Sequence, residues 1–172
     1  TDCTSLIFQV GDNGRLYQRY LGKKLNHESD FVYLPQGTEV YITHGAEDYF
    51  EPAIQVLHND GNPSLLLKYV EHSSSRQNDG SVETVITLKD DKYPVTVKLH
   101  YITYAAENII KTFTEINHQE KKPIVLSKYA SSMLHFNRDK YFLTEFSGDW
   151  AHEVNIAERE LAFGKKTIDT KL

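Results

Sequence analysis

Alternation of apolar and polar residues is clearest between Val95 and Tyr104. Apolar side chains occupy every second position, namely Val95, Val97, Leu99 and Tyr101. The positions between them are polar: Thr96, Lys98 and His100. Successive side chains of a strand point to opposite faces, so a period of two indicates one buried and one wetted face. We therefore predict a β-strand over 95–104.

Two neighbouring stretches extend this pattern. Residues 81–88 place Val82, Ile86 and Leu88 on one face, and a turn containing Pro94 follows them. This spacing predicts an antiparallel hairpin with 95–104. Residues 109–117 have apolar side chains on both faces. We expect that strand to be central in its sheet and covered on both sides.

Turn clusters rich in Gly, Asn and Asp separate further β-forming runs, because these residues tolerate the positive φ of tight turns. The clusters are 11–14, 59–63, 78–80 and 90–92. The additional predicted strands are 6–10, 16–21, 54–58, 65–72, 124–135 and 141–146. About ten strands exceed one open sheet, so we predict an all-β fold, a large antiparallel β-sandwich forming a single domain over 1–172. Residues 151–163 fit a helix or a strand, and we favour a strand.

Composition narrows the possible partners. A chain of 172 residues with 40% hydrophobic residues can bury a core without metal or disulfide staples. The single cysteine, Cys3, excludes an internal disulfide and leaves the redox compartment open. A net charge of -5 argues against nucleic acid as a partner. We find no targeting leader and no apolar run long enough for a membrane span, so we expect a soluble chain of undefined compartment. Because it starts without Met, the N-terminus fits processing or trimming.

No recognisable catalytic or metal motif is present. The eight histidines are scattered without HxH or HExxH spacing, and there is no G-x-S-x-G. The glycines at 11–14 lie between two predicted strands, which indicates a hairpin turn and not a phosphate loop. Spacing alone cannot pair two carboxylates across a scissile glycosidic bond. We predict no catalytic residue, no metal and no cofactor within this chain.

Residues 43–53 (THGAEDYFEPA) are the strongest candidate for a functional segment. They lie in a long stretch, about 30–52, that has only a short strand-like piece near Val40. Long ordered loops are uncommon and are often functional. Aromatic faces beside carboxylates suit sugars, and this segment contains both, Asp48 and Tyr49 among them. The alternative is a packed edge loop whose aromatic side chains fill the end of the sandwich.

The same segment resembles a known family. Residues 45–56 (GAEDYFEPAIQV) are similar to the "GTGDFREPALQV" element in the N-terminal domain of family 36 α-galactosidases. Three further pieces follow the family's order: 20–25 (YLGKKL, with Asp30 and Phe31 after it), 59–61 (NDG) and 146–153 (FSGDWAHE). They resemble respectively its "YFGKRL" strand, the hairpin after that element, and its "LSGAWARER" segment. The likeness covers about 6–169.

This resemblance implies a function for a larger protein. In the family this domain is a large sandwich, or supersandwich, that precedes a (β/α)8 barrel, and the enzymes remove terminal α-galactose with retention. The catalytic aspartates belong to barrel motifs similar to "KWD" and "SCSGGGRFD", which are missing here. A barrel needs about 250 residues, so it cannot share these residues with a sandwich. The implied partners are the chain's own C-terminal barrel, a homo-oligomer and galactosides.

The resemblance also implies a supporting role for Asp48. In tetrameric family members the loop bearing the matching Asp reaches a neighbouring subunit's galactose pocket and can accept hydrogen bonds from the sugar hydroxyls. This sequence departs twice from the pattern. Glu47 replaces a Gly, which changes local backbone freedom, and Phe50 replaces an Arg, which removes a bidentate donor. Trp150 is expected to be a core or interdomain anchor.

Two alternatives remain open from the sequence. The chain is also compatible with a stand-alone carbohydrate-binding module that uses Tyr41, Tyr49 and Phe50 as an exposed aromatic platform. A domain-docking scaffold without a sugar role is the second alternative.

Overall fold

The computed structural model describes residues 1–45, 50–136 and 140–169. Their regular secondary structure is almost entirely antiparallel β-sheet, in accord with the predicted all-β class. The strands are β1 (Thr4–Val10), β2 (Leu16–Lys23), β3 (Thr38–Glu39), β4 (Ile54–Leu57), β5 (Leu67–Arg76), β6 (Val82–Asp90), β7 (Val95–Tyr104), β8 (Ile109–His118), β9 (Val125–Tyr129), β10 (Phe142–Asp149) and β11 (His152–Glu160). A single helical turn, α1 (Ser29–Val32), interrupts them. No helix in the described residues has the length and apolar character of a membrane span.

The chain forms two compact units, residues 1–135 and 136–172. The first unit contains three sheets, with strand orders β1-β2-β3, β4-β9 and β5-β6-β7-β8. The second unit contains the β10-β11 hairpin. The expectation that 1–172 is one sandwich domain of a larger glycosidase stays a prediction.

One hydrophobic cluster joins the sheets of the first unit. Its residues come from β2, β4, β5, β6 and β7 and from the segment after β3. Phe8 of β1 also packs on Tyr101 of β7, with ring centroids 5.0 Å apart. The four-stranded sheet therefore buries its apolar face against the other two sheets, as expected for a sandwich.

The predicted hairpin at the centre of this unit is confirmed. β6 and β7 pair without a register shift, from Val82 opposite Thr103 to Lys89 opposite Thr96. The alternate residues Val95, Val97, Leu99 and Tyr101 are all buried. Register is strongly specified here because a slip of one residue would expose this whole set.

The expectation of a central, doubly covered strand at 109–117 was wrong. β8 is the last strand of its sheet in the described residues and pairs with β7. Ile116 packs on the core, whereas Ile109 is 53% exposed. On the outer face, Phe113 stacks on His100 with ring centroids 4.2 Å apart. The apolar residues on both faces thus reflect this ring stack and not a second covering layer.

Three boundaries also differ from the sequence predictions. β9 spans five residues, where we expected a strand over 124–135, and the chain after it is irregular. Leu65 and Leu66 precede β5, and that strand continues to Arg76. The ambiguous 151–163 segment is a strand, β11, as we favoured. The helical turn α1 was not predicted.

A buried hydrogen bond between His58 and Glu120 fastens the loop after β4 to the chain after β8. His58 is 2% exposed and stacks on Tyr93, with ring centroids 3.5 Å apart. Its Nδ1 lies 2.6 Å from Oε1 of Glu120, and its Nε2 lies 3.0 Å from the carbonyl oxygen of Ser64. Asn59 donates its backbone N–H to the other oxygen of Glu120. Three distant parts of the chain thus meet at one imidazole.

The contacts of Glu120 set its ionisation. Burial on its own would raise the pKa of this carboxyl, but hydrogen bonds from His58 and Asn59 outweigh it and hold the pKa below its ordinary value. A depressed folded-state pKa means that the carboxylate stabilises the fold above its unfolded-state pKa, near about 4.3. That contribution disappears as pH falls through the lower folded-state value.

We predict that Ile54→Ala lowers the free energy of unfolding by about 2–5 kcal/mol, since Ile54 is 0% exposed. Leu57→Ala in the same strand is the matched control, because Leu57 is 42% exposed and its loss should change stability by about 0.5 kcal/mol or less. Urea unfolding measures both variants. Equal effects would contradict the placement of β4.

We predict that Glu120→Gln lowers the free energy of unfolding at neutral pH by about 1–3 kcal/mol, because buried N–H donors lose a charged acceptor. The deficit relative to the unmodified chain should shrink as pH falls below about 4, where the carboxylate of the unmodified chain is itself neutralised. Thermal unfolding of both chains between about pH 3 and pH 8 measures how the difference in their stability changes with pH. Glu107→Gln, in an exposed turn, is the control and should show no such convergence.

Candidate functional site

The two ends of the candidate loop are fixed by the core. Val40, Tyr41 and Ile42 are each at most 1% exposed. Ala53 donates its backbone N–H to the carbonyl of Ile42 at 2.7 Å, and Thr43 forms a parallel bridge with Ile54. The chain therefore leaves the core at residue 43 and returns at residue 53, so both ends of the intervening loop lie beside each other on rigid backbone.

The sequence-predicted residues Asp48 and Tyr49 lie outside the described residues. Gly45, the last described position before them, has φ +88°, a backbone conformation that L side chains rarely adopt. A Cβ there would lie 2.9 Å from the Cα of Ser64. Glycine is therefore required by both the turn and the close approach of the 62–66 segment.

The described aromatic candidates do not form a common platform. Tyr41 is buried and donates its hydroxyl to the carbonyl of Ala130 at 2.7 Å, so its expected place in an exposed platform is wrong. Phe50 is 66% exposed, so it does not fill the sandwich. Trp150, in the second unit, is 91% exposed. The expectation that it is a core residue is therefore wrong, and its role as an interdomain anchor stays a prediction.

A cleft of about 650 Å³ begins at Gly45. Three turns of the first unit form its walls, and the lining residues are Asn13, Arg15, Gly45, Asn62, Ser64, Leu65, Leu66, Lys68, Asp90, Asp91, Lys92 and Tyr93. This volume is in the range of small-molecule sites in proteins. We refer to this feature as the turn cleft.

Asp90 shapes one wall of the turn cleft. Its carboxylate is buried and accepts three backbone N–H groups, from Leu66 at 2.6 Å, Lys92 at 2.7 Å and Tyr93 at 2.8 Å. One carboxylate thus fixes the turn after β6 and ties it to the segment before β5. Three backbone donors on one buried carboxylate give this residue a structural role in fixing the turn.

A buried ion pair supports the opposite wall. Nε of Arg15 lies 3.0 Å from Oε1 of Glu39, and a second guanidinium nitrogen bonds the other carboxylate oxygen. This bidentate geometry holds the start of β2 against β3. In the adjoining turn, the side-chain oxygen of Asn13 accepts the backbone N–H of Arg15 at 3.0 Å.

Tyr93 forms a third wall and is held from behind by Asp60, which lies outside the lining. Asp60 accepts the backbone N–H of Asn62 at 3.0 Å and the hydroxyl of Tyr93 at 2.9 Å, and these bonds lower its pKa. Burial and the neighbouring Asp60 raise the pKa of Tyr93. The ring of Tyr93 is also held by its stack on His58. At neutral pH this wall therefore presents a neutral phenol.

These residues carry no arrangement typical of a catalytic centre. Among the described residues, no three His, Cys, Asp or Glu side chains are grouped to hold a metal. The carboxylates that line the turn cleft accept backbone N–H groups, as Asp90 does, or pair with a lysine, as Asp91 does with Lys68.

Sequence reasoning recognised these turns but missed that they share a cleft. Their Asn, Asp and Gly residues indicated tight turns, and nothing local showed that turns far apart in sequence converge. The one available signal was the pairing pattern, since antiparallel strands bring alternate turns to the same end of a sheet.

Comparisons with known proteins agree with this architecture. The chain is 20% identical over 201 residues to the α-galactosidase Mel36A of Lactobacillus acidophilus, covering 96% of this chain and 28% of that protein. Among solved structures it is similar to α-galactosidase AgaA from Geobacillus stearothermophilus, with TM-score 0.82, 21% identity, and coverage of 95% and 28%. The α-galactosidase from Lactobacillus brevis gives TM-score 0.76, 20% identity, and coverage of 94% and 26%.

These structural likenesses establish the sandwich fold, and the chain spans about 28% of the curated relative's length. The family model described as the glycosyl hydrolase family 36 N-terminal domain matches residues 14–172. With a match of that extent, this chain belongs to the N-terminal domain family of the family 36 glycosyl hydrolases.

Proposed function

We propose that this chain is the non-catalytic N-terminal part of a retaining α-galactosidase that hydrolyses terminal α-galactosides. The observation that supports this most directly is the family match over 14–172, together with α-galactosidase relatives of which the chain spans only about a quarter. In this proposal a (β/α)8 barrel elsewhere in the protein contains the catalytic carboxylates. The sandwich stabilises the barrel, takes part in oligomer contacts and completes the galactose pocket.

We predict that the purified 172-residue chain does not hydrolyse an aryl α-galactoside, because in this proposal the catalytic carboxylates belong to the barrel. The assay is release of p-nitrophenol at high chain concentration, with a family 36 enzyme as the positive control. Turnover that survives further purification and disappears with a substitution in this chain would contradict the proposal.

The pocket role is assigned to Asp48, with Tyr49 as a second sugar contact. Two features favour this assignment. The loop containing both residues starts and ends on buried backbone at Thr43 and Ala53, so its ends are held in place. A carboxylate is also a strong acceptor for sugar hydroxyls, and a loop on a rigid scaffold is a common location for such contacts.

We predict that Asp48→Asn in the full-length enzyme lowers kcat/KM for an α-galactoside by about 10–100-fold, the range for loss of one charged hydrogen bond. Glu47→Gln, the neighbouring carboxylate, is the matched control and should stay within about threefold. Neither substitution should change the thermal stability of the enzyme or the mass of its native assembly. Equal losses in both variants would argue for a general charge effect and against a sugar contact by Asp48.

The stabilising role is assigned to the hairpin of the second unit. Phe142 and Phe146 lie on one face of β10, and Ile156 lies directly opposite Phe146 on β11. Each of these side chains is more than 60% exposed, and Trp150 stands at the hairpin tip. An isolated two-stranded hairpin is marginally stable in water, and an apolar face of this kind favours a packing partner. We assign the barrel as that partner.

We predict that Trp150→Ser lowers the unfolding free energy of the full-length enzyme by about 2 kcal/mol or more, as for a buried aromatic anchor. The same substitution should leave the 172-residue chain within about 0.5 kcal/mol, because the ring is exposed there. Ser147→Ala, on the opposite side of the hairpin, is the control. Calorimetry of the full-length enzyme and of the 172-residue chain measures both effects. An unchanged unfolding free energy of the full-length enzyme would contradict the docking role.

A further inference from the structure

The turn cleft is preorganised. Asp90 holds the turn after β6 through three backbone N–H groups, and Glu120 and His58 hold the 58–64 loop. Arg15 and Glu39 fix the wall opposite Asp90. Binding to a cleft whose walls are already ordered avoids much of the entropy of organising loops around a ligand.

Its lining offers hydrogen-bonding groups beside apolar surface. The Ser64 hydroxyl and the Asn62 amide lie on one wall, and the Lys92 ammonium lies on another. Leu66, 41% exposed, and the partly exposed ring of Tyr93 supply the apolar surface. His58 covers one face of that ring, so Tyr93 meets the cleft through its other face or edge. Hydrogen-bond donors and acceptors next to an aromatic surface suit the hydroxyls and the C–H faces of a sugar.

The charges of the lining are close to balance. Arg15 pairs with Glu39, and Lys68 pairs with Asp91. Lys92 has no ion-pair partner in the part of the chain that the structure describes, and its charge is offset by the nearby carboxylate of Asp90. A lining without net charge has no strong preference for a phosphate or a cation, so it favours an uncharged polar ligand.

We propose that the turn cleft is a binding site for a neutral saccharide, formed by this chain alone. Ser64 and Lys92 donate hydrogen bonds to the sugar hydroxyls, and Leu66 and Tyr93 contact its C–H surface. The site requires neither the barrel nor a second subunit, so it is independent of the role proposed for Asp48.

The test is an NMR titration of the ¹⁵N-labelled 172-residue chain with galactose, raffinose and inorganic phosphate in separate series. We expect saturable shifts of the 64–66 and 91–93 amide signals with at least one sugar and no saturation with phosphate. The double variant Ser64→Ala/Lys92→Ala should bind that sugar about tenfold or more weakly. Lys89→Ala, an exposed lysine of β6 outside the lining, is the matched control and should bind normally. Unchanged signals elsewhere verify that each variant is folded.

Three results would overturn the proposal: no saturable shift with either sugar, saturation with phosphate in place of sugar, or sugar binding that the double variant leaves unchanged. Asp48→Asn separates this site from the loop role. Cleft binding should survive that substitution in the 172-residue chain. If Asp48→Asn abolished sugar binding while the double variant had no effect, the cleft proposal would fail and the Asp48 proposal would stand.

Discussion

The structure of the first unit depends on the burial of residues 40–43 against β4. Val40 and Ile54 are both 0% exposed, and backbone hydrogen bonds join their segments. Because this pair lies inside the hydrophobic cluster, it cannot shift without opening the contact between the sheets. The loop between residues 43 and 53 is therefore attached at both ends to buried, hydrogen-bonded backbone, which is the physical basis for assigning it a functional role.

Charged residues serve mainly to hold backbone in this unit. Asp90 accepts three N–H groups, Asp60 fixes the 60–62 turn, and Glu120 binds both His58 and Asn59. Burying a carboxylate is favourable only when its oxygens are satisfied, so the buried carboxylates of Asp90 and Glu120 each specify one loop geometry, whereas Asp60 fixes its turn at the surface. The consequence is a set of three turns that meet in a defined cleft although none of them belongs to a regular element.

How much the sequence predicts depends on the range of the interactions involved. The β6–β7 hairpin was predictable because its two-residue period and the turn at Pro94 are local signals. The edge position of β8 was not, since a strand with apolar residues on both faces looks the same whether a second layer or the His100 stack covers Phe113. The turn cleft was equally hidden, because its residues are joined only by long-range bonds such as that from Leu66 to Asp90. The resemblance to the family identified Asp48 as a candidate. The pattern of residues alone showed only that Asp48 lies in an unusually long loop.

The two units differ in how far they satisfy their own apolar residues. In the first unit the alternating residues of β7 are buried within the unit's own hydrophobic cluster. In the second unit the apolar face of β10 and β11 is exposed, and a hairpin gains stability only by covering such a face. The cleft site and the docking role that we propose therefore rest on residues of different units. A substitution in one unit is expected to leave the role proposed for the other unit unchanged.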